Sequence, residues 1–227
     1  MKKHKLIIAI LFFSILLQPF PLITQAKESS ISIEQIEEYL ENQLNTLAEE
    51  SDISIKFNNV ELTPRTNDDN SKLLEDVNSF LEQLKKNIAL QKRDDNFNVP
   101  KVSPFESYTY RAASNSETYT ASVNCAVPAI GWGYINQDFK ATVSNSRISS
   151  AYLLGSSTLT GATLCRWTHN YSWLEISKNR QFIQINMKGT LHYFWKAVNI
   201  STDATFLSTK KAQGNTLVDA IYSDFPD

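Results

Sequence analysis

The residues of this chain best suited to chemistry or binding are a run of rings, two cysteines and two histidines. Residues 166–173 read RWTHNYSW, with a ring at every second position from 167 onward. Alternate side chains of a strand point to the same face. The spacing therefore predicts that four rings share one face: Trp167, His169, Tyr171 and Trp173.

A face of this kind has two interpretations. Buried aromatic side chains contribute about 2–3 kcal/mol each through apolar burial, so the rings would anchor the core of a sandwich. Alternatively, the rings are partly exposed and stack on a sugar or lie at a lipid surface, because Trp and Tyr join an apolar body to a polar handle. His169 favours exposure, because a buried imidazole needs hydrogen-bond partners.

Trp132 stands between Gly131 and Gly133, which predicts a ring carried on a flexible loop. Loops carry binding residues more often than the elements they connect. Trp132 is therefore the first candidate for a ligand contact, ahead of the stripe. The predicted ligand-binding set comprises Trp132, Trp167, His169, Tyr171 and Trp173.

Cys125 and Cys165 are the only cysteines, and an exported chain with an even number of them is expected to form a disulfide. Closing a loop of about 40 residues would stabilise the fold by roughly 4 kcal/mol. The alternative, a nucleophilic thiol, requires a nearby base. The sequence therefore predicts one disulfide, Cys125 to Cys165.

No catalytic residues, metal site or cofactor are predicted. His169 and His192 are the only histidines after the leader, and their spacing matches no metal motif, although Asp138 or Glu175 would serve as a third ligand if the two met. No nucleophile elbow or P-loop occurs, and no pair of carboxylates suited to glycoside hydrolysis stands out. A net charge of −2 without basic clusters disfavours nucleic-acid binding.

The N-terminus has the pattern of a secretory signal over residues 1–26. Three lysines precede the apolar run 6–17, two prolines follow it, and the small residue Ala26 suits signal-peptidase cleavage. The apolar run is shorter than the roughly 18 residues of a membrane span, although an uncleaved anchor is the alternative. The prediction is a secreted, extracellular protein, and the compact lysine-rich start is typical of a bacterium.

Composition changes near residue 105, which predicts two unlike parts. Residues 27–105 hold 16 acidic and 9 basic side chains, whereas residues 106–227 hold 8 acidic and 10 basic ones. All six glycines and all four tryptophans lie in the second part. The predicted organisation is a helical region over 27–90, a linker over 91–105 and an all-β domain over 106–227.

The helical region contains two apolar stripes at spacings of three and four residues, each typical of one helix face. They comprise Ile33, Ile36, Leu40, Leu44 and Leu47, then Leu73, Leu74, Val77, Phe80, Leu81, Leu84 and Ile88. Ser32 and Gln35 match a capping box before the first stripe. After the second, Lys92 and Arg93 either end the helix or form a protease site that would release an acidic propeptide.

The second part has short runs of alternating apolar residues about ten residues apart, which predicts an antiparallel β-sandwich or barrel-like domain. Phe139, Ala141 and Val143 form one such inward set, and 183–187 and 191–197 form two more, joined by a predicted tight hairpin at 188–190. The tail 214–227 is ambiguous between strand and helix. The fold class is therefore α+β.

These features predict a secreted, non-catalytic protein that binds a surface glycan or another extracellular macromolecule. Serine- and threonine-rich runs such as 140–152 support an alternative, a membrane-active, toxin-like protein held inactive by its acidic helical pro-region. An extracellular hydrolase is the third hypothesis. The sequence leaves the oligomeric state open.

Overall fold

The structure is a computed structural model that describes residues 31–51, 53–65, 69–93, 110–111, 116–220 and 224–226. The predicted signal segment and its cleavage residue Ala26 lie outside the described residues. The predicted linker 91–105 begins as helix up to Arg93, and the remainder of it also lies outside them.

The described residues form two helices and nine strands. In chain order they are α1 (Ile33–Glu50), β1 (Ile55–Pro64), α2 (Asn70–Arg93), β2 (Tyr110–Arg111), β3 (Ser116–Ala126), β4 (Gly131–Ser144), β5 (Arg147–Thr163), β6 (Cys165–Ile176), β7 (Phe182–Trp195), β8 (Val198–Gln213) and β9 (Thr216–Ala220). The ambiguous tail thus supplies a strand, β9.

The strands form two antiparallel sheets. Sheet A has the order β1-β8-β7-β6, and β9 pairs with the second half of β8. Sheet B has the order β2-β3-β4-β5. The predicted α+β class, with antiparallel strands predominating beside two helices, is confirmed, and the two sheets share one core in a sandwich-like arrangement.

Alternation of side chains explains which faces meet in that core. Phe139, Ala141 and Val143 of β4 are buried, while the residues between them are not. On β7, Ile183 and Met187 are fully buried and belong to the same inward series. Period-two apolarity places these side chains between the sheets, as the sequence predicts.

The hairpin predicted at residues 188–190 is wrong, because β7 continues unbroken from Phe182 to Trp195. Gly189 lies in the middle of this strand, where the indole of Trp167 packs against it. A Cβ atom at position 189 would come within 2.5 Å of the Trp167 ring and 2.3 Å of the Thr168 carbonyl oxygen. The glycine therefore makes room for a neighbouring strand and does not form a turn.

Helix α1 begins at the predicted capping box, in which Ser32 and Gln35 bond to each other's backbone amides. Its polar side chains also cover the free edge of β1. The Asn45 amide accepts from Phe57 N at 2.9 Å and donates to Phe57 O at 3.0 Å. Glu37 accepts from Leu62 N at 2.8 Å. These bonds occupy backbone groups that an edge strand otherwise leaves unpaired.

Helix α2 packs over the end of β7 and the loop before β4. The Phe80 ring lies 5.2 Å from that of Tyr193, between centroids. Asn87 donates to the carbonyls of Ala129 and Gly131 at 2.8 and 2.6 Å. The described residues form one compact unit, in which both helices and both sheets contribute to a single core.

The predicted disulfide is wrong, because Cys125 and Cys165 are both free thiols. The two cysteines lie at different positions along β7. Cys165 pairs with Tyr193 of that strand. The Cys125 sulfur lies 3.6 Å from the carbonyl oxygen of Leu207 on β8, and Leu207 pairs with Asn186 of β7. Asn186 and Tyr193 are seven residues apart, or about 23 Å along a strand. A disulfide joins Cα atoms within about 7 Å.

Burial keeps both thiols protonated. Desolvation raises the pKa of Cys125 to about 12, against a smaller lowering by Lys210. Desolvation also raises the pKa of Cys165, opposed by a hydrogen bond with Thr163. Since the thiolate is the nucleophile, both side chains act as small apolar residues of the core.

Candidate functional site

The stripe of rings on β6 is divided by a β-bulge. His169 pairs with Gly189 of β7, but Tyr171 pairs with Lys188, so that Asn170 is an extra residue on β6. An extra residue reverses the alternation beyond it. The prediction that four rings share one face is therefore wrong: Trp167 and His169 face the core, and Tyr171 and Trp173 face the solvent side of sheet A.

The burial pattern of β6 shows the reversal. Before the bulge, the buried Cys165 and the half-buried Trp167 are inward and Arg166 is exposed. After it, Leu174 and Ile176 pack against the core, although the original alternation would place odd-numbered residues there. The bulge thus exchanges two large aromatic side chains for two aliphatic ones on the inner face.

The inner pair makes specific contacts both within sheet A and with sheet B. Trp167 meets the Phe206 ring edge-on at a centroid distance of 5.5 Å and donates from Nε1 to Ser157 Oγ at 3.0 Å. The same hydroxyl lies 2.7 Å from His169 Nδ1. These bonds supply the partners that a buried indole and imidazole need, and they make Trp167 and His169 part of the packing between β5 and β6.

The outer pair forms an exposed aromatic surface. The Tyr171 and Trp173 ring centroids are 5.4 Å apart at an interplanar angle of 33°, and Tyr171 is 52% exposed. Trp173 Nε1 donates to Glu175 Oε1 at 2.7 Å, and Lys188 Nζ lies 5.8 Å from the Tyr171 centroid. The two neighbours hold the rings in place and set one anionic and one cationic group beside them.

Polar side chains of sheet A lie next to this pair. Asn186 of β7 is the cross-strand partner of Trp173. Gln184 of β7 is the cross-strand partner of Glu175 on β6 and of Thr209 on β8. Asn186 and Thr209 are 3% and 4% exposed, yet Asn186 Nδ2 and Thr209 Oγ1 have no hydrogen-bond partner in the described part of the chain. Because both atoms are shielded from solvent, a ligand on the outer face does not reach them.

Trp132 lies apart from the outer pair. It belongs to strand β4 in sheet B, so the prediction of a loop residue is wrong. Its backbone pairs with Ala162, and a Cβ atom at Gly161 would come within 2.9 Å of its ring. Trp132 is half-buried on the outer face of its sheet, and the structure does not bring it together with Tyr171 and Trp173.

A second aromatic cluster occupies the other end of the outer face of sheet A. Phe194 is 38% exposed, and the guanidinium carbons of Arg166 and Arg65 lie 5.2 and 5.9 Å from its ring centroid. The Arg65 Nε donates to Asn199 Oδ1 at 2.8 Å. No local pattern in the sequence indicates this cluster, because its members come from β6, β7 and the residue that follows β1, which only the sheet pairing brings together.

In the described ranges, no group of three or more histidine, cysteine, aspartate or glutamate side chains is arranged to hold a metal ion. His169 and His192 belong to opposite faces of sheet A, because His192 bonds to the outward Thr168 at 3.1 Å. Neither helix of the described part is long and apolar enough to cross a membrane.

Comparisons with protein-family models, curated proteins and solved structures found no match for this chain. The outer face of sheet A provides an exposed ring, Tyr171, beside a half-buried one, Trp173, with an anionic and a cationic side chain next to them.

Proposed function

We propose that this protein is an exported binding protein and that the outer face of sheet A binds a glycan through Tyr171 and Trp173. The observation that carries the proposal is the bulge at Asn170, which turns this pair of large rings toward solvent. Apolar burial would favour keeping them inside. Their exposure therefore incurs a cost in stability that a binding role accounts for.

The arrangement suits a sugar. Apolar faces of a sugar ring stack on aromatic side chains, while its hydroxyls require hydrogen-bond donors and acceptors at fixed positions. The side chains of Glu175 and Lys188 supply such groups next to the rings. Because the rings stand on a strand and the Glu175 bond orients Trp173, little conformational freedom is lost on binding.

Binding is favoured over hydrolysis by the carboxylates near the rings. Glycoside hydrolysis requires two carboxyl groups on either side of the scissile bond. Among the described residues, Glu175 is the carboxylate next to the pair, and its Oε1 accepts from Trp173. Asp203, on β8, accepts from Asn59 at 3.0 Å and from Thr190 at 3.1 Å. Both carboxylates thus have structural partners.

The test is a binding assay with a panel of neutral and acidic polysaccharides, followed by titration of those that bind. We expect Trp173→Ala and Tyr171→Ala each to weaken binding by tenfold or more, the effect of losing about 1.4 kcal/mol of contact energy. Tyr152→Ala is the matched control, since Tyr152 is 51% exposed but lies on sheet B. It should bind as the wild type does.

Two results would contradict the proposal. Equal loss of binding in Tyr152→Ala and Trp173→Ala would mean that the outer pair has no special role. Absence of binding to every polysaccharide, together with release of dye from lipid vesicles, would instead favour the membrane-active alternative.

A further inference from the structure

We infer that the glycan is an anionic chain, whose acidic groups bind at Phe194, Arg65 and Arg166 while a sugar ring stacks on Tyr171 and Trp173. The inference rests on the proposed function and extends it from the aromatic pair to a second subsite. Both subsites lie on the outer face of sheet A. They are joined by strands β6 and β7.

The second subsite concentrates positive charge over an exposed ring. Both guanidiniums lie within 6 Å of the Phe194 centroid. Two like charges in such proximity repel each other, and an anion between them removes that repulsion. Guanidinium groups bind carboxylate, sulfate or phosphate through paired N–H donors, and ring stacking keeps their planes in place.

These arginines have no carboxylate partner in the described part of the chain, where the ion pairs are Lys196–Asp76 and Lys210–Asp219. Arg65 is oriented by the neutral Asn199, which leaves its charge uncompensated. Of the carboxylates on the same face, Asp203 bonds to Asn59 and Thr190, and the exposed Glu61 forms no ion pair with either arginine. The cations of this face therefore remain available to an external anion.

The two subsites fit one extended ligand. Lys188, beside Tyr171, and Phe194 are six residues apart on β7, a span of about 20 Å. The outward residues between them on this strand are polar: Thr190 and His192. A surface with a ring and a cation at each end and polar groups between them suits an oligosaccharide carrying repeated acidic groups. A single small molecule would not reach both ends.

A single-stranded nucleic acid also binds to rings interleaved with cations. The surface favours the glycan, because the outward side chains between the two subsites are the polar Thr190 and His192, whereas single-stranded nucleic acid stacks successive bases on closely spaced rings. Nucleic acid is therefore kept as a competing outcome of the test.

The experiment compares ligands that share a backbone but differ in charge. Polygalacturonate is titrated beside its methyl ester, and heparin beside desulfated heparin, at two salt concentrations. We expect the full chain to bind at least one acidic polymer tenfold or more tightly than its neutral counterpart, with affinity that falls at high salt. Arg166→Gln should remove most of this preference.

Controls separate this inference from the proposed function. Arg147→Gln is the matched variant, because Arg147 is an exposed arginine of sheet B. It should behave as the wild type, whereas Trp173→Ala should weaken binding of acidic and neutral forms alike. If neutral glycans bind in a Trp173-dependent way without any preference for acidic ones, the inference is wrong and the proposed function stands.

Two further results would overturn the inference. Unchanged preference for the acidic polymer in both Arg166→Gln and Arg65→Gln would show that its acidic groups bind elsewhere. Tighter binding of oligothymidylate than of any acidic glycan would assign the face to nucleic acid. Failure to bind any glycan would reject the inference together with the proposed function.

Discussion

Replacing Asn45 by alanine should destabilise the protein by about 2–3 kcal/mol. The Asn45 amide makes two hydrogen bonds with the Phe57 backbone, at 2.9 and 3.0 Å, and so takes the place of a neighbouring strand. Each bond has a net value of about 0.5–1.5 kcal/mol, and leaving a partly buried N–H or C=O unpaired costs more. Water has partial access to these backbone groups, which keeps the total loss of stability near the lower end of the range that these values allow.

Asn42→Ala provides the matched control. Asn42 lies on the same helix but is exposed, so both substitutions change helix propensity equally and only one removes the contacts with β1. Urea unfolding should show a lower midpoint with an unchanged slope for Asn45→Ala. In a domain of this size, the loss corresponds to a fall of about 4–12 °C in melting temperature.

The same substitution should also expose the edge of β1. Unpaired strand edges recruit strands of other molecules, so we expect Asn45→Ala to self-associate at high concentration on size-exclusion chromatography, whereas Asn42→Ala stays unchanged. If Asn45→Ala unfolds within 0.5 kcal/mol of Asn42→Ala, the amide does not act as a substitute strand and the reasoning fails.

The remaining predictions concern packing, thiols and processing. Gly189→Ala should cost about 3 kcal/mol or more, because the new Cβ would overlap the Trp167 ring; a wild-type urea midpoint would refute this. In the native state, Cys125 and Cys165 should resist thiol reagents at pH 8 and react after unfolding; rapid labelling, or a mass 2 Da below that of the dithiol, would contradict the buried thiols. The pKa of Cys125 is about 12 in the folded state, so above pH 9 the unfolded chain loses this proton before the folded protein does. Ionisation of this thiol should therefore lower the free energy of unfolding by about 1.4 kcal/mol by pH 10, and Cys125→Ala should abolish this contribution. Cleavage within 92–93 should leave the fragments together on native chromatography, because both helices contribute to the core; spontaneous separation would instead support a removable propeptide.

The sequence alone determined the features that depend on neighbours along the chain. The capping box at Ser32 and the apolar stripe from Ile36 to Leu47 follow from the 3.6-residue period of a helix. The inward series of β4 and β7 follows from the two-residue period of a strand. These periods are local properties, so the class and the buried face of these elements could be predicted without knowledge of their partners.

The tertiary structure decided which strands meet and in what register. The bulge at Asn170 exists because β6 must match β7, and it alone sends Tyr171 and Trp173 to the solvent face while Trp167 stays inside. The sequence around Gly189 predicts a turn, but this glycine lies within β7, against the Trp167 ring of the neighbouring strand β6. Pairing energies between strands depend on residues far apart in the chain, and no local period carries that information.

The cysteines and the arginine cluster illustrate the same limit. Counting two cysteines predicted a bond, but the sheet pairing places Cys125 and Cys165 at separate positions along β7 and β8. Arg65 and Arg166 are a hundred residues apart in sequence and meet at one ring only because β1, β6 and β7 belong to one sheet. Local sequence indicates whether a segment forms a helix or a strand, whereas the contacts of that segment depend on the folding of the whole chain.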